Sequence, residues 1–107
     1  MATPTVNLDI NEHETFEMSL EFWENDDRTL PIDITAWSFN GAFNFGSLCI
    51  PFTYTIGNTN SVVFRVEANQ LVNLPNQGTY SIEAISGNDT YRIQQGSVTV
   101  DKEVVCS

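Results

Sequence analysis

A chain of 107 residues suits a single domain with one core. Fourteen acids against four bases give a net charge of −10. That charge argues against a nucleic-acid partner, whose phosphates are held by Lys and Arg, and against docking on an anionic membrane surface. No apolar run approaches the ~18 residues of a membrane-spanning helix.

The opening Met1-Ala2-Thr3-Pro4-Thr5 has no basic region and no apolar block, so it does not read as a secretory signal. We read residues 1–5 as an extended N-terminal arm, 6–104 as the folded domain and 105–107 as a tail. Cys49 and Cys106 are too few for a disulfide framework and too far apart for a CxxC motif. Two reduced thiols are expected.

Val6, Leu8 and Ile10 alternate with Asn7 and Asp9, the pattern of a first strand. After a polar turn, Phe16, Met18, Leu20 and Phe22 alternate with Glu17, Ser19 and Glu21, which predicts an apolar face turned inward and acids turned outward. Trp23 breaks that phase and reads as a bulge or an exposed aromatic. Glu24 to Arg28 is a surface turn. Pro31 opens the extended piece Ile32-Asp33-Ile34, and Trp37, Phe39, Phe43 and Phe45 then share odd positions around Gly41.

Cys49-Ile50-Pro51 leads into Phe52, Tyr54 and Ile56, a strand that starts at Pro51 or lies at an edge. Val62, Phe64 and Val66 form the next strand, and residues 68–74 predict one or two helical turns. Tyr80, Ile82 and Ala84, then Tyr91 and Ile93, then Val98 and Val100 read as a meander of three elements. Gly87-Asn88 makes its first turn and Gly96 interrupts it.

Seven or eight short strands with turns every ~8–12 residues predict an all-β fold, an immunoglobulin-like sandwich of antiparallel strands. The expected core is Phe16, Met18, Leu20, Phe22, Trp37, Phe39, Phe64, Val66, Tyr80, Ile82, Ile93, Val98 and Val100.

The stretch from Leu74 to Val104, with its Leu-Pro-x-x-Gly-Thr-Tyr, Tyr-Arg-Ile and Gly-x-Val-x-Val pieces, resembles the C-terminal part of small tailed-bacteriophage virion proteins. Ile32-Asp33-Ile34-Thr35-Ala36-Trp37 is similar to the middle strand of the same proteins, so the likeness runs from about Phe16 to Val104. Where that family has an acidic Tyr-Asp-Leu-Glu, this chain has Tyr80-Ser81-Ile82-Glu83. The resemblance implies a non-enzymatic structural subunit of the virion, present in many copies and contacting other virion proteins. It is expected in the tail, baseplate or fibre-attachment region, with capsid decoration as the alternative.

Candidate chemistry is sparse. The one histidine, His13, lies in a polar turn with no nucleophile elbow in the sequence, and reads as a solvated residue. Glu17 and Glu21 stand roughly 13 Å apart along a strand, beyond the ~5–9.5 Å of paired glycosidase carboxylates. Glu24, Asn25, Asp26 and Asp27 offer oxygen ligands without the spacing of an EF-hand, so neither metal nor cofactor is expected. Asn88-Asp89-Thr90 matches a glycosylation sequon but follows no signal peptide.

Partner contacts are assigned to Ala2, Thr3, Pro4 and Thr5 of the arm and to Trp23. An exposed Trp23 also supports a reading from another class, a carbohydrate-binding module taking a glycan on an aromatic ring.

Overall fold

A computed structural model describes residues 4–24 and 27–102. It forms eight strands and one 3₁₀ turn in the order β1 Leu8–Asn11, β2 Phe16–Glu21, β3 Ser38–Asn44, β4 Cys49–Pro51, β5 Thr53–Ile56, β6 Ser61–Val66, the turn Ala68–Gln70, β7 Gln77–Ser86 and β8 Asp89–Asp101. Two sheets result, one in the order β1-β8-β7-β3-β4 and one in the order β2-β6-β5. Their inward side chains make a shared core, which is the immunoglobulin-like sandwich.

One pairing departs from the expected antiparallel pattern. β1 runs parallel to β8, with Leu8 opposite Val98 and Ile10 opposite Val100. Alternation reveals which side chains share a face but carries no information on strand direction, so this pairing was not readable from period alone.

The chain changes sheets at Phe52. β4 pairs with β3 in the larger sheet, and β5 pairs with β6 in the smaller one. Phe52 donates its N–H to the Gly41 carbonyl at 2.8 Å while its ring packs edge-on to Phe43, with centroids 4.7 Å apart. The strand expected from Phe52 to Ile56 is therefore β5 alone, and its lead-in Cys49–Pro51 is a separate short edge strand of the other sheet, the two joined at a buried aromatic.

The meander is a hairpin of two long strands. Gly87-Asn88 forms its two-residue loop, with Gly87 at φ 61° as the sequence anticipated. Gly96 does not interrupt β8. The irregularity lies earlier, where Ile82 faces Gln94 and Glu83 faces Arg92, leaving Ile93 as an extra residue. This bulge reverses the side-chain phase of β8. Tyr91 is exposed and Ile93 half-buried, whereas Gln94, Val98 and Val100 are buried.

The core differs from expectation in a regular way. Phe39, Phe64, Val66, Tyr80, Ile82, Val98 and Val100 are buried as predicted. Phe16, Met18, Leu20, Phe22 and Trp37 are half-buried and pack against the core from its margin. β2 is an edge strand, so its inward side chains keep one flank open. Ile34, Leu71 and Leu74 take the central places, all in connections without period. The extended piece 32–34 is not a strand; Ile34 is fixed by donating its N–H to the Thr59 carbonyl at 2.7 Å.

Ile82→Ala is expected to cost about 2–5 kcal/mol through lost transfer energy and a cavity. Leu20→Ala on the half-open margin is expected to cost less. Denaturant unfolding of the two variants checks the ranking, and equal losses would contradict the edge position of β2.

Candidate functional site

The outer face of the larger sheet is concave and polar. A groove of about 620 Å³ crosses it, lined by residues that include Asn44, Thr79, Ser81, Arg92, Gln95 and Ser97. Strand register explains the lining. Cys49, Asn44, Thr79 and Ser97 face one another across four strands, and the next row is Pro51, Ala42, Ser81 and Gln95. Each row ends on the N-terminal segment, where Asn7 Oδ1 accepts the Ser97 N–H at 3.1 Å and Thr5 bridges to Gln95. Arg92 Nη1 lies 3.4 Å from Gln95 Oε1. Hydroxyls, amides and one guanidinium can hydrogen-bond a polar ligand or a protein surface.

That N-terminal segment is held by the domain's own sheet. Gln95 donates its N–H to the Pro4 carbonyl at 3.1 Å, and Val6 donates to the Gln95 carbonyl at 2.9 Å. The Tyr80 hydroxyl donates to the Val6 carbonyl at 2.5 Å and accepts from Gln94 Nε2 at 2.9 Å. Burial pushes the Tyr80 phenol above its ordinary range, which keeps it a donor. Gly96 makes the approach possible, because a Cβ there would run into the Val6 carbonyl. Pro4 and Thr5, read as part of a free arm, are thus bonded to β8. Ala2 and Thr3 lie outside the described residues.

Trp23, read as an exposed ring, is half-buried, and its indole nitrogen is shielded from solvent. It forms an isolated bridge to Pro31, supported by Glu24 N–H to the Leu30 carbonyl at 2.8 Å and Ile32 N–H to the Phe22 carbonyl at 3.1 Å. The phase break at Trp23 therefore marks a narrow ribbon leaving the sheet.

A second polar cluster closes one end of the sandwich. The Glu12 carboxylate accepts the Leu74 N–H at 3.0 Å and the Lys102 ammonium at 3.1 Å. Lys102 also donates to the Leu74 carbonyl. The Leu74 amide, then Lys102, hold the Glu12 carboxyl below its ordinary value of 4.5. His13, at φ 68°, has its Nε2 3.7 Å from Glu12 Oε1 and belongs to this clasp. Nothing in the sequence pattern marked Glu12, whose partners are 62 and 90 residues away.

Glu17 pairs with Arg65, which also bonds Glu67 at 2.8 Å, so this acidic face is partly neutralised. Among the described residues no three His, Cys, Asp or Glu side chains are grouped to hold a metal ion. Asn25, Asp26 and Cys106 lie outside the described residues. Cys49 is exposed at the groove rim.

No family model matches the chain, and no curated protein matches it. Among solved structures, the chain is similar to part of the endo-fucoidan hydrolase MfFcnA4 from glycoside hydrolase family 107, with a TM-score of 0.60 and 10% identity. The match covers 95% of this chain and 13% of that one, so the chain spans a small part of the hydrolase's length. It is also similar to the BTLA ectodomain, with a TM-score of 0.45 and 12% identity over 96% of this chain and 94% of that one. At such identities the hydrolase likeness shows the fold alone.

Because the Glu12 carboxyl is depressed in the folded state, the unfolded chain binds the extra proton. The clasp's contribution is complete above the unfolded value near 4.5 and is lost as pH falls through the folded value. Glu12→Gln should flatten the fall of melting temperature below about pH 4.5 and lower stability at pH 7. An unchanged acid limb would contradict the clasp. Gly96→Ala should displace the N-terminal segment, seen as faster amide exchange at Val6 and Gln95.

Proposed function

We propose that this chain is a non-enzymatic structural subunit of a tailed-phage particle, placed in the tail, baseplate or fibre-attachment region and working by contact. The observation that carries this reading is the correspondence between the resemblance and the fold. The residues shared with small virion proteins are those that build the central hairpin. Gly78, Tyr80 and Ile82 line β7, and Gly96, Val98 and Val100 line β8 opposite or beside them. A close approach explains each glycine. A Cβ at Gly78 would lie 2.7 Å from the Asn44 carbonyl, and one at Gly96 would strike Val6. Such a motif builds a rigid sandwich, which suits a subunit whose task is to hold neighbours.

Its partners on this reading are other virion proteins, and its acidic surface, at net −10, favours basic patches on them. Capsid decoration is the same kind of role at another place in the particle.

A second reading, a carbohydrate-binding module, is favoured by the hydroxyl- and amide-lined groove on the outer sheet. Trp23 no longer supports it, because the ring is half-buried.

Mass spectrometry of washed particles of a phage encoding this chain separates the two. The structural reading predicts the chain in many copies per particle. Its absence from particles, together with glycan-array binding lost in an Arg92→Ala, Gln95→Ala double variant, would overturn that reading in favour of the second.

A further inference from the structure

Charge is distributed unevenly along this chain. From Ile34 to Phe64 there is no Asp, Glu, Lys, Arg or His, while the fourteen acids and four bases are spread over the remainder. The uncharged span forms β3, β4, β5 and the first part of β6. It therefore builds one flank of the sandwich, where β4 edges the larger sheet and β5 the smaller. Leu48 and Tyr54 are each 38% exposed on that flank, and Cys49, Pro51, Thr53 and Thr55 are exposed beside them.

Four strands among the described residues edge the two sheets, and three of them are defended. β2 carries Glu17 and Glu21, β1 carries Asp9, and β4 is three residues long and ends on Pro51, which has no N–H. β5, Thr53-Tyr54-Thr55-Ile56, has neither a charge nor a proline. Its free side is fixed by the ladder. Gly57 donates its N–H to the Ser61 carbonyl at 3.0 Å, and the antiparallel register continues through Thr55 with Val63 and Thr53 with Arg65. Alternation then turns the main-chain N–H and C=O of Tyr54 and Ile56 away from β6, toward the open edge.

We propose that β5 is a self-docking edge. A second copy of this chain adds its own β5 antiparallel about a twofold axis at Thr55. Tyr54 of each copy then exchanges main-chain hydrogen bonds with the partner's Ile56, and the two small sheets join into one of six strands.

Charge selects the occupant. A basic partner is drawn to the acidic faces and gains nothing from this flank. A like-charged copy is repelled by those faces and meets least repulsion here. Across the seam the two β2 strands, with Glu17 and Glu21, stand five strand spacings apart, about 24 Å at ~4.8 Å each. That exceeds the Debye length of ~8 Å at physiological ionic strength. Docking also covers the Tyr54 ring, which already leans on Phe39 and Phe64 at 5.4 and 6.5 Å. A seam of four residues per copy falls short of the ~1,000 Å² of a stable interface, so association is weak in dilute solution and strengthens where copies are crowded. The proposal does not depend on the particle reading.

Sedimentation velocity from about 10 μM to about 1 mM tests it, the upper end matching a millimolar Kd near −4 kcal/mol. The weight-average mass of the unaltered protein should rise toward twice the monomer. Thr55→Lys should remain monomeric, because the two Thr55 residues meet at the axis with Cα atoms ~4.5 Å apart and the lysines would repel. Thr55 is exposed, so the variant should keep its melting temperature. In the unaltered protein, amide exchange at Tyr54 and Ile56 should slow about twofold at the upper concentration, because about half of the chains are then paired at a millimolar Kd and only free edges exchange. A monomer at ~1 mM, or association without protection at these two amides, would overturn the proposal, as would association of Thr55→Lys equal to that of the unaltered chain. If Thr55→Lys loses stability, the two amides in the unaltered protein decide alone.

Discussion

The extra residue at Ile93 is the constraint on which the rest of this sandwich depends. Without it, the residues after Arg92 would take the opposite phase, and Gln94, Val98 and Val100 would face solvent. With it, Val98 and Val100 enter the core opposite Leu8 and Ile10 of β1, and Gln94 reaches inward to the Tyr80 hydroxyl. Gly96 then comes to lie where the N-terminal segment crosses, and its bare Cα admits the Val6 carbonyl that Tyr80 holds. A single bulge thus decides three things: which face of β8 is apolar, where the chain's beginning docks, and how a buried glutamine is satisfied.

A molecule with net charge −10 and a small core must hold its acids apart or pair them. Both devices are present. Two of the four bases are spent on the acids of specific elements, Lys102 on Glu12 at the end of the sandwich and Arg65 on Glu17 and Glu67 across β2 and β6. Among the described residues, the other acids are exposed or half-buried, in turns and on outer strand faces. The aromatic chain Phe22, Trp37, Phe39, Phe64, Phe52, Phe43 and Phe16 runs between the sheets, with neighbouring rings 4.7–6.3 Å apart, largely edge-on or tilted.

Much of this architecture was legible in the sequence because most strands obey period two. The inward phase of β2, β6 and β7 followed directly from Phe16-Met18-Leu20, Val62-Phe64-Val66 and Tyr80-Ile82-Ala84. Three features were not legible, each for a physical reason. The phase change at Ile93 looks like continued alternation, because Tyr91-Ile93 and Val98-Val100 each alternate on their own and the only visible irregularity between them is Gly96. Ile34, Leu71 and Leu74 are among the most buried side chains but sit in connections, where burial has no periodic signature. The Glu12 clasp and the docking of Pro4 and Thr5 join residues distant in sequence, which pattern cannot pair. Trp23 was out of phase as read, but the break leads into a ribbon and not into solvent.

Deletion of Ile93 tests the central claim most directly. Removing the extra residue forces residues 94–101 either to turn Val98 and Val100 outward or to pull the Gly87-Asn88 loop out of register. Denaturant unfolding of the deletion variant should show a loss of several kcal/mol, the scale of a broken core, or no cooperative transition at all. A variant that unfolds cooperatively within ~0.5 kcal/mol of the parent chain would contradict the bulge as the feature that sets the phase of β8.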